Sequence, residues 1–260
     1  MQSADPITGG PPTEVPLERP PLVKVIAQIR FPMVTAIGRQ EFIAPFQEAI
    51  RKTYPVLRPE KGQSIVLGPD GPAVLQEEMV WRFNNGESTW KVGLSPSFLS
   101  LETTAYSSRT EFMERLKEVV RALERHVEPT VVDRLGIRYI NRITGDELKD
   151  ISALIRSEVC GVVTALPNLE HSITQAAFKL GKNQLMARWG KLPPKQSPEP
   201  GLEIVNEESW ILDFDMFTTE TFAFDTKLLL SNSMMFTERI YSLFRWVVTE
   251  EFLRRRGGKV

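Results

Sequence analysis

The stretch RLGIRYINRI, residues 134–143, alternates apolar and polar side chains, and the stretch LVKVIAQIRF, residues 22–31, does the same. In each, an arginine lies between an aliphatic and an aromatic residue: Arg30 before Phe31, and Arg138 before Tyr139. Successive side chains of a β-strand point to opposite faces of its sheet. Both stretches are therefore predicted to be half-buried strands, and their likeness suggests one structural unit that occurs twice.

The elements after each of these strands are predicted to follow the same order. The first strand precedes a helix within 38–55, which Pro55 ends, strands at 64–68, 73–83, 88–95 and 98–104, and a second helix. The turn at Asn84 to Gly86 predicts a hairpin between the second and third of these four strands. Ser108 and Glu111 form a capping box that begins the second helix. The second precedes a helix at 145–158, strands at 161–166, 171–180, 183–191 and 209–217, and a helix within 226–255. The strings FMERL (112–116) and FTERI (236–240) also agree. The sequence thus predicts an α+β protein, an internal duplication of a β-α-β4-α unit, with an antiparallel curved sheet backed by helices on one face.

The predicted domain organisation has an arm and two halves. Residues 1–21 are rich in proline and poor in apolar residues, so we expect a disordered arm. Residues 22–128 and 129–260 form the two halves, which almost no linker separates, so they are expected to fuse into one domain. Residues 192–208 contain four prolines and are predicted to be a loop inserted in the second half.

The composition is that of an ordinary soluble globular protein, with 42% hydrophobic and 25% charged residues. Lys and Arg number 32 against 33 Asp and Glu, so the chain lacks the cationic excess on which nonspecific nucleic-acid binding depends. A single cysteine, and a first segment without an apolar core, predict a cytoplasmic protein without membrane contact.

Residues that could perform catalysis are few and scattered. His126, His171 and Cys160 have no recognisable partners at catalytic or metal-ligating spacing, and no phosphate-binding glycine motif occurs. Asp213 and Asp215 share one face of a predicted strand and could hold a divalent ion, but two solvated carboxylates are the stronger interpretation. We therefore expect no catalytic residues, no metal and no cofactor, hence a protein that is not an enzyme.

Cationic residues on the two repeated strands form the candidate partner-binding set: Lys24, Arg30, Arg134, Arg138 and Arg142. The same alternation places the carboxylates of Glu78, Glu102, Asp213 and Asp215 on that face. Ion pairs within the sheet are the first expectation, contact with a protein partner the second, and nucleic-acid binding the third. The arm and the 192–208 loop would belong to the same contact surface.

Tryptophans support a second hypothesis, a sensor for a small molecule. Trp81, Trp90 and Trp189 all lie on predicted strands, and a curved sheet could enclose a ligand among them. Packing in the core is the simpler interpretation of the same residues.

Three stretches carry a family resemblance: PPLVKVIAQIRFP (20–32), WKVGLSPSFLSLETTAYSSRTEFMERL (90–116) and RLGIRYINRI (134–143). They resemble a sporadically distributed family of uncharacterised bacterial proteins, over most of residues 18–255. That family has no established activity; its patchy distribution implies mobile cargo, such as an accessory or neutralising component of a phage-defence or toxin-antitoxin module. The order of elements is similar to that of the TATA-box-binding-protein saddle, a likeness of topology alone.

These observations predict a non-catalytic binding protein that engages a macromolecular partner, most simply another protein. The small-molecule sensor and the nucleic-acid binder remain alternatives. Homo-oligomerisation is left open by the sequence.

Overall fold

A computed structural model describes residues 5–68, 71–166, 168–197 and 202–259; within these ranges, the side chains of 61–78 are not described. The α+β class is confirmed, and an antiparallel sheet has nine strands in the order β2-β3-β4-β5-β1-β7-β10-β9-β8. Its strands are β1 (Leu22–Arg30), β2 (Val56–Gly68), β3 (Gly71–Asn84), β4 (Trp90–Ser95), β5 (Phe98–Thr103), β7 (Arg134–Thr144), β8 (Ser172–Leu180), β9 (Asn183–Leu192) and β10 (Ser209–Thr218). Two short strands, β6 (Val131–Val132) and β11 (Phe222–Ala223), pair separately.

The helices differ widely in length. The long ones are α1 (Gln40–Ile50), α2 (Arg109–His126) and α7 (Thr226–Val247), and a 3-10 helix at Thr35–Gly38 precedes α1. The short ones are α3 (Asp146–Lys149), α4 (Ile151–Leu154), α5 (Ser157–Cys160), α6 (Val162–Ala165) and α8 (Glu250–Arg255). The described helices include no candidate for a membrane-spanning segment.

The first half contains the elements that its sequence predicts, although α1 ends at Ile50 and β2 begins at Val56, eight residues before the predicted strand. Ser108 begins α2, and its hydroxyl accepts a hydrogen bond from the Glu111 amide at 3.1 Å, so the predicted helix cap is confirmed. The predicted hairpin between β3 and β4 is also present, with Asn84 paired to Lys91 and the Trp90 amide donating to Asn85 Oδ1. The order strand, helix, four strands, helix is therefore confirmed for this half.

The second half departs from its prediction in two places. Residues 161–166 were predicted to be a strand, but 162–165 form α6, in which the Leu166 amide donates to the Val162 carbonyl. The helix predicted at 145–158 is divided into α3, α4 and α5, because the backbone is interrupted around Asp150 and Ile155, and Ile155 bridges Val248. In the described part of this half, three strands of the nine-stranded sheet, β8, β9 and β10, lie between α6 and α7 instead of four, together with the two-residue β11, which pairs with β6. The internal duplication stays a prediction.

Contacts divide the chain into two compact units. Unit 1 comprises Met1–Val25, Ile137–Phe217 and Met234–Val260, and unit 2 comprises Ile26–Gly136 and Thr218–Ser233. In unit 2, α1 and α2 cover the buried side chains of β3, β4 and β5; Phe46 packs against Phe83 and Phe112 against Trp90. In unit 1, Trp210, Leu212, Phe214 and Met216 alternate along β10 and are buried.

The proline-rich arm is more ordered than its composition predicts. In its described part, the Arg239 guanidinium donates to the Gly9 carbonyl, and the Val15 amide donates to the Tyr241 hydroxyl at 2.7 Å. The Glu18 amide donates to the Arg256 carbonyl at 3.0 Å. The composition indicates that the arm cannot build a core alone. Its hydrogen-bond partners are side chains of α7 and the backbone at the end of α8. The described part of the arm therefore lies against α7 and the end of α8, within unit 1.

We expect Gly258→Ala to loosen the arm. A Cβ at this position would lie 2.9 Å from side-chain carbons of Leu17 and Val15 and 2.9 Å from the Leu253 carbonyl oxygen, so the arm would have to move away from the end of α8. Hydrogen exchange should become faster at the Glu18 amide, by about fivefold for a loss of about 1 kcal/mol. Gly38→Ala is the matched control, because a Cβ there meets nothing within 4 Å. Unchanged exchange in Gly258→Ala would contradict this account of the arm.

Candidate functional site

The predicted partner-binding residues are divided between the two units. Lys24, Arg138 and Arg142 belong to unit 1, and Arg30 and Arg134 belong to unit 2.

In unit 1, Asp213 is the centre of a buried ion cluster. Its carboxylate accepts two hydrogen bonds from Arg138, at 2.7 Å from Nε and 2.9 Å from Nη2. Arg188 also donates to Asp213 through Nε at 3.0 Å and through Nη2. Asp213 is only 2% exposed. The cluster joins β7, β10 and β9 through their side chains, so the expectation of ion pairs within the sheet is met for Arg138.

Burial and the two arginines act in opposite directions on the pKa of Asp213. Burial raises that pKa, because a carboxylate loses hydration, whereas the hydrogen bonds and charges of Arg138 and Arg188 lower it. The arginines prevail, and the pKa of Asp213 lies below its ordinary value. Asp213 is therefore a charged structural group and not a solvated carboxylate, which corrects the stronger interpretation made from the sequence.

Arg142 is the most deeply buried of the predicted partner-binding cations, with 8% exposure. Its Nη1 donates to the Glu203 carbonyl at 2.7 Å, so the segment between β9 and β10 crosses it. On the same strand, Ile140 is fully buried, although the alternation predicts that this face of β7 points to solvent. Leu202 is buried too. The contact of the Glu203 segment with Arg142 explains why β7, which was predicted to be half-buried, is covered around Arg142.

In unit 2, the Arg134 guanidinium lies over Gly136, in the space that an added Cβ would occupy. The Arg30 carbonyl accepts a hydrogen bond from the Asp133 amide at 2.8 Å. A comparable sheet ion pair joins Arg82 to Glu102 at 3.0 Å. The Glu78 side chain, predicted for the same face, lies outside the described side chains.

The three tryptophans of the sensor hypothesis are not in one unit. In unit 2, Trp81 donates from Nε1 to the Ile37 carbonyl at 2.7 Å, and the Arg115 guanidinium stacks 4.4 Å from the ring of Trp90. Trp189 lies on β9 in unit 1 and is half-buried. Two surface depressions, of about 530 Å³ in unit 2 and about 600 Å³ in unit 1, have none of these tryptophans in their walls.

Candidate catalytic groups are dispersed. Cys160 is 2% exposed, and burial raises the pKa of its thiol to about 11. Among the residues that the structure describes, no group of three or more His, Cys, Asp or Glu is arranged to hold a metal ion. His126 is at the end of α2, and His171 immediately precedes β8.

The open edge of β8 is the candidate functional site. This strand is the last in the sheet order, and within the described chain only β9 pairs with it. Ile173, Gln175, Ala177 and Lys179 are exposed, whereas Ala176, Phe178 and Leu180 are half-buried. An edge strand presents unpaired backbone groups that another strand can join.

The turn after β8 determines which backbone groups face this edge. Gly181 and Lys182 connect Leu180 to Asn183, and Gly181 has φ +59°, as in a two-residue hairpin turn. The pair that closes such a turn is hydrogen-bonded, and hydrogen-bonded pairs alternate along the ladder. Even-numbered residues of β8 thus bond to β9. The N–H and C=O groups of Ile173, Gln175, Ala177 and Lys179 point outward.

The opposite edge of the sheet has protective features that β8 lacks. Pro59 interrupts the donors of β2, and the pairing of β2 with β3 shifts between Ser64 and Ile65. Proline and bulges are common devices against unwanted strand addition. β8 contains no proline, its pairing with β9 has no shift, and Lys179 is its single charged residue.

The sequence did not predict the role of Arg188 or the edge position of β8. Arg188 alternates with Leu185 and Ala187, so its face could be predicted, but its partner Asp213 lies 25 residues further along the chain. The edge position of β8 depends on the sheet order and has no local signal.

Comparisons with family models, with curated proteins and with solved structures found no match for this chain. The family resemblance therefore stays a prediction.

We expect Asp213→Asn to destabilise the protein by about 3 kcal/mol, because two partly buried guanidinium groups lose their carboxylate. The pKa of Asp213 is about 4 in the unfolded chain and lower in the folded protein, so the unfolded chain binds a proton more readily. The free energy of unfolding of the wild type should therefore fall as the pH drops from about 4 through the lower pKa of the folded protein. The variant should lack that part of the pH dependence. Urea unfolding between pH 3 and 7 measures both effects.

Asp146→Asn is the control for this experiment, since Asp146 pairs with Lys149 at the exposed surface. It should leave the urea midpoint unchanged. Equal midpoints for the two variants would contradict a structural role of the Asp213 cluster.

We expect the thiol of Cys160 to be unreactive in the folded protein at pH 8, because it is buried and its pKa is raised to about 11. A thiol-specific chromogenic reagent should modify Cys160 only after addition of denaturant. Rapid stoichiometric modification without denaturant would show an accessible thiolate.

Proposed function

We propose that this chain is a non-catalytic protein-binding protein and that its contact surface is the open edge of β8 in unit 1. The observation that carries the proposal is the row of outward backbone groups on Ile173, Gln175, Ala177 and Lys179. Addition of a strand to such an edge is a recurrent mode of protein recognition. Main-chain hydrogen bonds supply affinity in this mode, and alternate side chains supply specificity.

Exposed apolar side chains near β8 support a protein partner. Ile173 is 38% exposed, and Val162 and Leu166, which precede the strand in the chain, are 54% and 55% exposed. Burial of exposed apolar side chains stabilises a complex with a protein partner. A nucleic acid would need a cationic surface, whereas β8 has one cation, Lys179.

The contacts of the arginines favour the β8 edge over the predicted cationic surface. Arg138 is committed to Asp213, and Arg142 is buried beneath the loop that contains Glu203. A partner that engaged these guanidinium groups would have to compete with contacts inside unit 1. The β8 edge requires no such exchange.

We expect Gln175→Pro to weaken partner binding without unfolding the protein. The substitution removes an outward N–H, and proline is tolerated on edge strands where the N–H faces solvent. Its ring also obstructs an approaching strand. Tagged full-length protein should be recovered from its host and examined by native mass spectrometry. A stoichiometric second polypeptide should decrease about fivefold or more in Gln175→Pro, which corresponds to the loss of one hydrogen bond of about 1 kcal/mol.

Two control variants separate the possible causes of lost partner binding. Gln175→Ala changes the side chain but keeps the N–H, so it should retain the partner. Lys24→Glu reverses a charge of the predicted cationic surface and should also retain it. A partner that survives Gln175→Pro but is lost from Lys24→Glu would overturn the β8 proposal in favour of that surface.

A further inference from the structure

We propose that the strand added at this edge is β8 of a second copy of this chain, in antiparallel orientation, with the two-fold axis at Ala176. The inference rests on the proposed function, because it names the partner for the same edge. Ala176 is the midpoint of Ser172–Leu180, so this register pairs the whole strand with itself. An isologous two-fold contact is the commonest arrangement of soluble homo-oligomers.

The backbone of β8 suits this register. Residue i lies opposite the partner's residue 352 − i, so Gln175 lies opposite the partner's Ala177, and Ile173 opposite the partner's Lys179. These four residues carry the outward N–H and C=O groups. Each such pair exchanges two hydrogen bonds across an antiparallel ladder. Every outward group from Ile173 to Lys179 is then satisfied.

The apolar row of β8 supplies the second argument. Ala176 and Phe178 lie opposite Ala187 and Leu185 of β9, which are fully buried. Ala176, Phe178 and Leu180 continue this buried row but remain half-buried, because no strand follows them. A second β8 would place the partner's Thr174 beside Phe178, and an aromatic residue next to a β-branched one is a favourable cross-strand pair. The core of unit 1 would thus extend across the two-fold axis.

The charge pattern also permits self-pairing. Lys179 is the one charged residue of β8, and in this register it faces the partner's Ile173. The two lysines therefore lie at opposite ends of the paired strands, and no like charges oppose one another. The aliphatic part of a lysine side chain can cover an isoleucine while its ammonium group stays in water.

The contact is small, which determines how the dimer should behave. Pairing of one nine-residue strand buries less than the roughly 1,200–2,000 Å² of a standard stable interface. We therefore expect a dissociation constant of the order of micromolar, so that the dimer forms and dissociates with concentration.

The first test is sedimentation velocity of purified full-length protein, without any other polypeptide, between about 1 and 100 μM, a range that brackets that constant. Wild type and Gln175→Ala should shift from monomer to dimer. Gln175→Pro should weaken dimerisation about thirtyfold, because symmetry removes two hydrogen bonds, each a factor of about five. Circular dichroism of the same samples establishes that Gln175→Pro is folded.

The second test is a disulfide across the axis. Ala176 and the partner's Ala176 would form a pair without direct hydrogen bonds, whose Cα atoms lie about 4.5 Å apart and allow a disulfide. Ala176→Cys should give a covalent dimer on mild oxidation. Ala177→Cys should not, because the partner's Gln175 lies opposite. The native Cys160 is buried and should not contribute.

The outcomes separate this inference from the proposed function. Concentration-dependent dimers that Gln175→Pro weakens, together with a disulfide at position 176 alone, support self-pairing. A monomer at every concentration overturns it, but the proposed function stands if Gln175→Pro still loses a different polypeptide captured from the host. If neither dimer nor captured partner depends on Gln175→Pro, both proposals fail. Dimers that persist in Gln175→Pro would place the contact elsewhere and overturn the inference.

Discussion

The ion cluster of Asp213 with Arg138 and Arg188 is the constraint on which the arrangement of unit 1 depends. A carboxylate that is 2% exposed is tolerated only if hydrogen bonds and opposite charges replace its hydration. Arg138 supplies a bidentate pair from β7, and Arg188 approaches from β9. Because the carboxylate must lie between these two side chains, the cluster restricts the relative register of β7, β10 and β9. The cluster thus attaches the hairpin of β9 and β8 to the core, in addition to the pairing of β9 with β10.

That attachment explains how unit 1 can support an exposed strand. β9 buries Leu185 and Ala187, so it has core contacts of its own, whereas β8 relies on β9 for all its described strand pairing. Ordinary soluble proteins protect such edges, and β2 does so with Pro59 and a register shift. The absence of comparable protection in β8 is therefore informative about function. The proposed contact with a partner at β8 accounts for this difference between the two edges.

Much of the secondary structure could be predicted from local patterns. The cap at Ser108 and the turn after Asn84 depend on residues a few positions apart, and both were confirmed. The strand predicted at 161–166 was wrong, because β-branched residues favour strands only where a neighbouring strand accepts them. In the structure those residues complete backbone bonds within α6 instead. The arm was also predicted to be disordered, because composition alone does not show its contacts with Arg239 and Tyr241, which lie more than 200 residues away in the chain.

By itself, the sequence determined the α+β class, most strand positions, the long helices and the charged nature of the residues on β7. These features follow from side-chain periodicity, capping and turn chemistry, which act over a few residues. Only the tertiary structure decided that Arg138 is paired, that Arg142 is covered, and that β8 is the edge. Those outcomes depend on strand order and on contacts between residues remote in the chain. Alternation assigns a side chain to a face, but it does not specify what covers that face.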